Sequence, residues 1–387
     1  MDGRLMRNNY LVFGSPLIEN DEINEVVDTL KSGWVGTGPK VHRFEEEFKD
    51  YVGAKYAMAV SSCTAGLHLA AVVLDLQPGD EVLVPSMTFA ASANAIIHAG
   101  AKPVLVDVDK SKMTIDLEDA RNKITEKTRA IVPVHFAGRA CDIKGLNELA
   151  EKYNLKIIHD AAHAIETEYE GKKVGSFNDI TSYSFYATKN LVTAEGGMIT
   201  TDNEELASKI KIYGLHGMTK DAWKRFSDDG YKHYQVCFPG FKYNMTDIQA
   251  AMGIHQLKRI DETSKRRKEI WDRYNNELKN LPLFLPDEVE QNTRHAYHLY
   301  TIQLDLENVK ITRDQLIQEL HKQNIGTGVH YIALHFHPYY KNQFGYKEGD
   351  FPNAEFISAR TLSLPFSAKL TDQDVSDVIE ALNNILN

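Results

Sequence analysis

A lysine becomes a carbonyl-reactive amine where its surroundings keep it from being an ordinary solvated cation, and Lys189 sits in such a stretch. It lies in Tyr186-Ala187-Thr188-Lys189-Asn190, directly after the apolar run ITSYSF (180–185) and before Thr193-Ala194-Glu195-Gly196-Gly197. An amine at the end of a core strand, among small and hydroxyl residues, suits a Schiff base with an aldehyde. Three further segments carry complementary chemistry. KIIHD ends in Asp160, placed either to pair with a protonated ring nitrogen or to cap a helix, and His163 follows in Ala161-Ala162-His163-Ala164. Ser61-Ser62-Cys63-Thr64-Ala65-Gly66, after YAMAV, has the form of a helix start that seats phosphate through free N–H groups; alone it reads equally as a Ser or Thr cap. Gly240-Phe241-Lys242-Tyr243-Asn244-Met245-Thr246-Asp247 precedes the helical Ile248-Gln249-Ala250-Ala251, and alone reads as a loop with an Asx cap.

Such residues need a scaffold that brings strand ends together. Short β-type runs alternate with helical patterns: YAMAV (56–60), EVLVP (81–85), PVLVDV (103–108), AIVPVH (130–135), KIIHD (156–160), ITSYSF (180–185) and GMITT (197–201). Runs this short and Val/Ile-rich predict an α/β fold with a mostly parallel sheet covered on both faces. Ligands of such sheets sit at the carboxyl ends of the strands, where the segments above lie. Helices are expected over 64–74, 91–98 and 143–153. Ahead of the sheet, 19–32 and 41–51 read as helices around the turn Gly33-Trp34-Val35-Gly36-Thr37-Gly38-Pro39. One long helical stretch from 249 to about 281 leads to a smaller lobe with HLYTIQLD (298–305), a helix over 312–323, GTGVHY (326–331) and a closing helix from Thr371. The lobes are expected to be 1–260 and 261–387.

Composition excludes several partners. The 387 residues carry 44 Lys and Arg against 54 Asp and Glu, a net charge of −10 with no basic stripe to offset it, so nucleic acid is not an expected partner. The polar start shows no secretory signal, and 82–101 is interrupted by Pro85, Thr88, Asn94 and His98, so no membrane span is expected. Cys63, Cys141 and Cys237 show no paired metal spacing and fit reduced thiols in the cytoplasm. In HFHP, His335 and His337 stand two apart without a supporting carboxylate or cysteine motif, and no metal is expected. An oxidoreductase would need a GxGxxG that GTGPKV does not supply, and no GxxxxGK[ST] loop marks an NTPase.

In this order, SSCTAGLHLA, PSMTFAASANAI, HDAAHA, SFYATKN, TAEGGMITT and GFKYNMTDIQAA closely resemble the DegT/StrS-type nucleotide-sugar aminotransferases. The resemblance runs from SGWVGTGP to HFHPYY and TLSLPF. It implies the pyridoxal-phosphate (PLP) transferase fold type I of aspartate aminotransferase, with a seven-stranded mixed sheet and a smaller C-terminal α+β domain, working as a homodimer. By the same resemblance Lys189 is the Schiff-base lysine and proton carrier, Asp160 the partner of the pyridine nitrogen, Phe89 the aromatic cover of the ring, and His163 a neighbour of the phenolic oxygen. Cys63, Thr64 and Ser184 match phosphate contacts, and Asn244 matches a phosphate contact made from the second subunit. An amino acid, glutamate in most of the family, leaves its nitrogen as pyridoxamine phosphate, which then aminates a keto sugar. NMTD followed by IQAA, with HGMTK (216–220), is more similar to members that aminate C4 of a 4-keto-6-deoxy nucleotide sugar than to the 3-amino branch. A bacterial source and a role in lipopolysaccharide, spore coat or other envelope polysaccharide are implied. Trp34, Thr37 and His330 are candidates for substrate contacts. Related sugar dehydratases carry His in place of the lysine, and a PLP-binding regulatory protein would keep these motifs without turnover.

Overall fold

The computed structural model describes residues 7–177, 180–218 and 234–387. The seven runs form one sheet: β1 (Tyr56–Val60), β2 (Glu81–Pro85), β3 (Lys102–Val106), β4 (Thr128–Ile131), β5 (Lys156–Asp160), β6 (Ile180–Ser184) and β7 (Gly197–Thr201). Their order is β1-β7-β6-β5-β4-β2-β3. Strands β2 to β6 pair in parallel, whereas β7 runs antiparallel to both β6 and β1. The sheet is therefore mixed. Residues 185–196 contain the Lys189 turn and no helix, so the chain returns beside β6 without the crossover that a parallel partner would require. Strand β4 stops at Ile131, shortly before Pro133, which has no N–H to extend the ladder.

The helix Cys63–Val73 is apolar on nearly every side and is buried accordingly. Ile143–Tyr153 forms as its pattern predicts, ending at Asn154 in the left-handed conformation (φ 53°). Helix Asn20–Ser32 is turned inside out. Glu22 and Thr29 are buried, while Ile23, Val27 and Leu30 are exposed. Glu22 is matched by Arg259 Nη2 at 2.6 Å and Gln256 Nε2 at 3.2 Å, both belonging to the region that packs against it.

The helical stretch expected from 249 to 281 is two helices, Asp247–Lys258 and Ile260–Leu278, broken at Arg259. The first packs on Asn20–Ser32 and Pro39–Val52, and the second gives Ile270, Trp271, Tyr274 and Leu278 to a separate apolar cluster. We propose that the two lobes divide at this break. The smaller lobe has a three-stranded antiparallel sheet, Leu283–Phe284, Tyr300–Leu304 and Thr361–Leu364, with helices Arg313–Lys322 and Asp372–Leu386 capped by Thr312 and Thr371. GTGVHY is not a strand of this sheet; Gly328 makes a single bridge to Ser363. Beyond it, Ala333, Leu334, Tyr340, Phe351, Ala354 and Ile357 return to the core of the larger lobe, while Leu11 crosses the other way into the smaller one.

Where the lobes meet, Gly138 has φ +102°, and a Cβ there would lie 2.9 Å from Ala296 Cβ and 3.1 Å from the backbone nitrogens of Ala296 and Tyr297. Gly138→Ala should cost about 2 kcal/mol of unfolding free energy in urea, through both the left-handed backbone and the collision. A loss of only a few tenths would mean that the two segments part easily.

Candidate active site

The carboxyl ends of β1, β5 and β6 converge with the lysine turn. After β1, Ser62 caps the helix Cys63–Val73, its Oγ accepting the Ala65 N–H at 3.1 Å, which leaves the Cys63 and Thr64 N–H groups at the helix start for an anion. Close packing builds this seat. A Cβ on Gly66 would meet Ser182 Oγ at 2.3 Å, and one on Gly197 would meet the Cys63 nitrogen at 2.7 Å. Thr64 is exposed at the helix start, whereas Cys63 is buried, its Sγ 3.4 Å from Ser182 Oγ and 4.0 Å from Asp160 Oδ1. Ser184 ends β6, and its Oγ accepts the Tyr186 N–H at 3.4 Å.

Asp160, at the end of β5, is buried and accepts from Ala162 N at 3.1 Å and Ser92 Oγ at 2.7 Å. Among the described residues no cation lies within ion-pair distance of it, and burial pushes its carboxyl above the usual range. The Lys189 charge acts on it only from beyond ion-pair distance, so a buried carboxylate of this kind calls for a closer positive partner. Lys189 is half-buried and makes no side-chain hydrogen bond or ion pair among the described residues. Burial pulls its ammonium down to about 8, against the opposing pull of Cys63 and Asp160. Because burial also pushes the Cys63 thiol up, Asp160 is the effective anion there. Near neutral pH a useful fraction of Lys189 is therefore free amine, the form that attacks an aldehyde.

His163 is buried with Nδ1 accepting the Ala137 N–H at 3.1 Å, which leaves the proton of the neutral ring on Nε2, 3.3 Å from Tyr331 Oη. Burial holds the imidazole well below the usual histidine range, and the neighbouring Lys189 and His330 act in the same direction. Phe89, at the start of helix Ala90–His98, is 62% exposed despite its size, and its ring stands 6.2 Å from that of Tyr331. An uncovered aromatic at the head of the helix whose Ser92 bonds Asp160 is suited to cover a planar ligand. His330 hydrogen-bonds Ser363 Oγ through Nδ1 at 2.8 Å and stacks on Phe13; burial pulls it down to about 4. It shares this wall of the site with Tyr331.

Asn244, Trp34 and Thr37 form a second group. Asn244 bridges Val60 at the end of β1 and donates Nδ2 to Thr37 Oγ1 at 2.5 Å, and Thr37 donates in turn to the Met245 carbonyl at 2.5 Å. Trp34 Nε1 donates to the Thr37 carbonyl at 3.2 Å. Asp247 caps not its own helix but Pro39–Val52, accepting from Gly38, Lys40 and Val41 N–H at 2.8, 3.1 and 3.0 Å. The NMTD segment thus holds the glycine-rich turn, which is why two distant motifs belong together. Thr219 and Lys220 of HGMTK lie outside the described residues.

His335 is buried against Ser86 Oγ at 2.7 Å with Glu355 Oε1 3.3 Å away, while His337 precedes the helix Pro338–Phe344; among the described residues no three potential metal ligands converge. Three site residues escape a reading of the sequence. Ser182 had a signal, since it lies two residues before Ser184 and so on the same face of β6. Ser92 lies one helical turn beyond Phe89. Tyr331 had none, because its contact with His163 is made across the lobes.

A mixed α/β sheet bearing a lysine, a buried carboxylate and a helix-start anion seat at its strand ends defines a PLP transferase of fold type I. The DegT/DnrJ/EryC1/StrS aminotransferase family matches residues 16–383, and the chain belongs to that family. It is an aminotransferase. It is 50% identical over 98% of both chains to the spore coat polysaccharide biosynthesis protein SpsC of Bacillus subtilis. It is 51% identical to MJ1066 of Methanocaldococcus jannaschii over 99% of each. Among solved structures it is similar to Spr1654 of Streptococcus pneumoniae, described as a sugar aminotransferase, at 36% identity and a TM-score of 0.90 over 97% of each chain. That protein has been solved in apo, PLP and pyridoxamine-phosphate forms.

Proposed function

We propose that this enzyme moves an amino group from an amino acid, glutamate by preference, to C4 of a 4-keto-6-deoxy nucleotide sugar, for the synthesis of envelope polysaccharide. The observation that carries the reading is the pairing of Asp160, buried with no cation at ion-pair distance among the described residues, with the unengaged Lys189 amine. Bound PLP would supply an aldehyde carbon to take up the amino nitrogen and a ring to take up the electron pair left when the donor's α-carbon loses its proton. In this arrangement Asp160 holds the pyridine nitrogen protonated, and the N–H groups of Cys63 and Thr64 with Ser184 hold the phosphate. Phe89 covers the ring and His163 offers its Nε2–H toward the phenolic oxygen. Lys189 would carry the proton between the donor's α-carbon and the cofactor carbon. Likeness to SpsC and Spr1654 supports a sugar acceptor, and NMTD with IQAA supports C4 over C3.

We place Trp34, Thr37 and His330 along the path of the nucleotide sugar, and Asn244 at the phosphate of a second subunit in a homodimer. The exposed stripe of Ile23, Val27 and Leu30, continued by Trp34 and Val35, supports a covering copy, since apolar residues in a contiguous patch favour burial. No described helix is long and apolar enough to cross a membrane, and we assign the enzyme to the cytoplasm.

Absorption between about 300 and 500 nm tests both half-reactions. Glutamate should convert the cofactor's band to that of pyridoxamine phosphate, and a 4-keto-6-deoxy nucleotide sugar should restore it. A band that glutamate and other amino acids leave unchanged would favour a regulatory protein, and restoration only by a 3-keto sugar would move the acceptor carbon. Sharing of sites is tested by mixing Lys189→Ala and Asn244→Ala subunits. Hybrids should recover activity, because one of their two sites combines an intact lysine with an intact asparagine; self-contained sites would stay silent.

A further inference from the structure

The residue after the lysine is held more firmly than the lysine itself. Asn190 Nδ2 donates to Glu166 Oε1 at 2.9 Å and to the Ala296 carbonyl at 2.7 Å, and its Oδ1 lies 3.1 Å from His298 Nδ1. An amide oxygen only accepts, so His298 carries its proton on Nδ1. The His298 ring packs 4.4 Å from that of His163, and burial holds both rings well below the usual histidine range. Two neutral imidazoles, those of His298 and His163, therefore connect Asn190 to Tyr331.

Glu166, at the other end, is fully buried, and its second oxygen has no hydrogen-bond partner. Arg267, buried on helix Ile260–Leu278, provides the opposing charge from the neighbouring lobe. A buried acid costs stability unless paired, and the side-chain hydrogen bond Glu166 accepts comes from Asn190. The arrangement orients the amide. We propose that Asn190, anchored by Glu166, is a positioning residue that fixes both the direction of Lys189 and the tilt of the His163 ring. The first effect passes through one peptide bond and the second through His298, so a single side chain coordinates the amine with the imidazole. The inference rests on the reading of Lys189 as the cofactor lysine.

The test is Asn190→Ala in the PLP-loaded enzyme, read by steady-state kinetics and by pH titration of the cofactor's visible band. Turnover should fall about tenfold or more with KM for glutamate changed less than about threefold, since misplacing a reacting group affects the chemical step. The midpoint of the titration should move by about half a pH unit, which a residue that only supports the fold would not cause. Glu166→Gln keeps an oxygen to accept from Asn190 and should lose only about threefold in turnover. Wild-type turnover and an unmoved midpoint in Asn190→Ala would overturn the proposal. If that variant does not fold, Asn190→Ser, too short to span Glu166 and Ala296, is judged by the same two outcomes. A wild-type protein with no band after PLP is supplied would instead overturn the reading of Lys189.

Discussion

Lys189→Ala should lower turnover by roughly 10³-fold or more, because in the proposed arrangement the substitution removes both the amine that binds the cofactor and the group that moves the proton. The variant should still bind PLP reversibly through the helix-start seat and Asp160, so cofactor dissociates on dialysis while the fold persists. Equilibrium dialysis alongside the kinetic assay separates the two roles. Exogenous methylamine offers a sharper comparison: partial recovery of turnover with added amine would show that chemistry, not structure, had been lost. Activity within about tenfold of wild type would remove Lys189 from its assigned role.

Asp160→Asn should reduce turnover by about 10²-fold or more while exerting opposite effects on the stability of the empty and loaded protein. Burial raises the folded-state pKa of Asp160 above the ordinary carboxylate range, although Ser92, Ala162 and the charge of Lys189 pull it down. Between the unfolded and folded values the native protein holds a proton that the unfolded chain has released. The empty protein thus loses stability as pH rises through that window, and the cost is fully present above the folded value. Replacing the acid by an amide removes the cost, since Ser92 can rotate its hydroxyl to serve either group. At neutral pH the empty variant should melt at or above the wild-type temperature, whereas the loaded variant should melt below loaded wild type, having lost its pairing with the pyridine nitrogen. Calorimetry with and without PLP reads both signs; an empty variant that melts well below wild type would mean that the carboxylate is already satisfied.

Strand ends and their polar residues were legible because chemistry and periodicity coincide there: β1, β2, β5 and β7 have the limits that their apolar runs predict. The direction of β7 was not, since a run of apolar residues carries no sign of polarity. The inverted helix Asn20–Ser32 misleads for a related reason. Its pattern is amphipathic, but which face is inward depends on Arg259 and Gln256, far along the chain. Lys189 and Asp160 declared themselves through local context and through resemblance, whereas Glu166 and Asn190 look like any acid and amide until Ala296 and His298 are brought beside them.

The placement of β7 also sets an order of assembly. Strands β2 to β5 are neighbours whose partners arrive soon after they are made, but the strand beside β1 is β7, with Asn244 adding a bridge to Val60 from still later in the chain, and the helices Asn20–Ser32 and Pro39–Val52 pack against Asp247–Lys258. An emerging chain must therefore hold its first helices and first strand unpaired until long after the centre of the sheet can form, and closing that long loop costs entropy before any contact is gained. The anion seat, carried by the helix that follows β1, is thus among the last parts to take shape during synthesis. A nascent chain that ends between residues 190 and 196 would contain Asp160 and Lys189 yet lack β7, whose Gly197 packs against the helix start after β1.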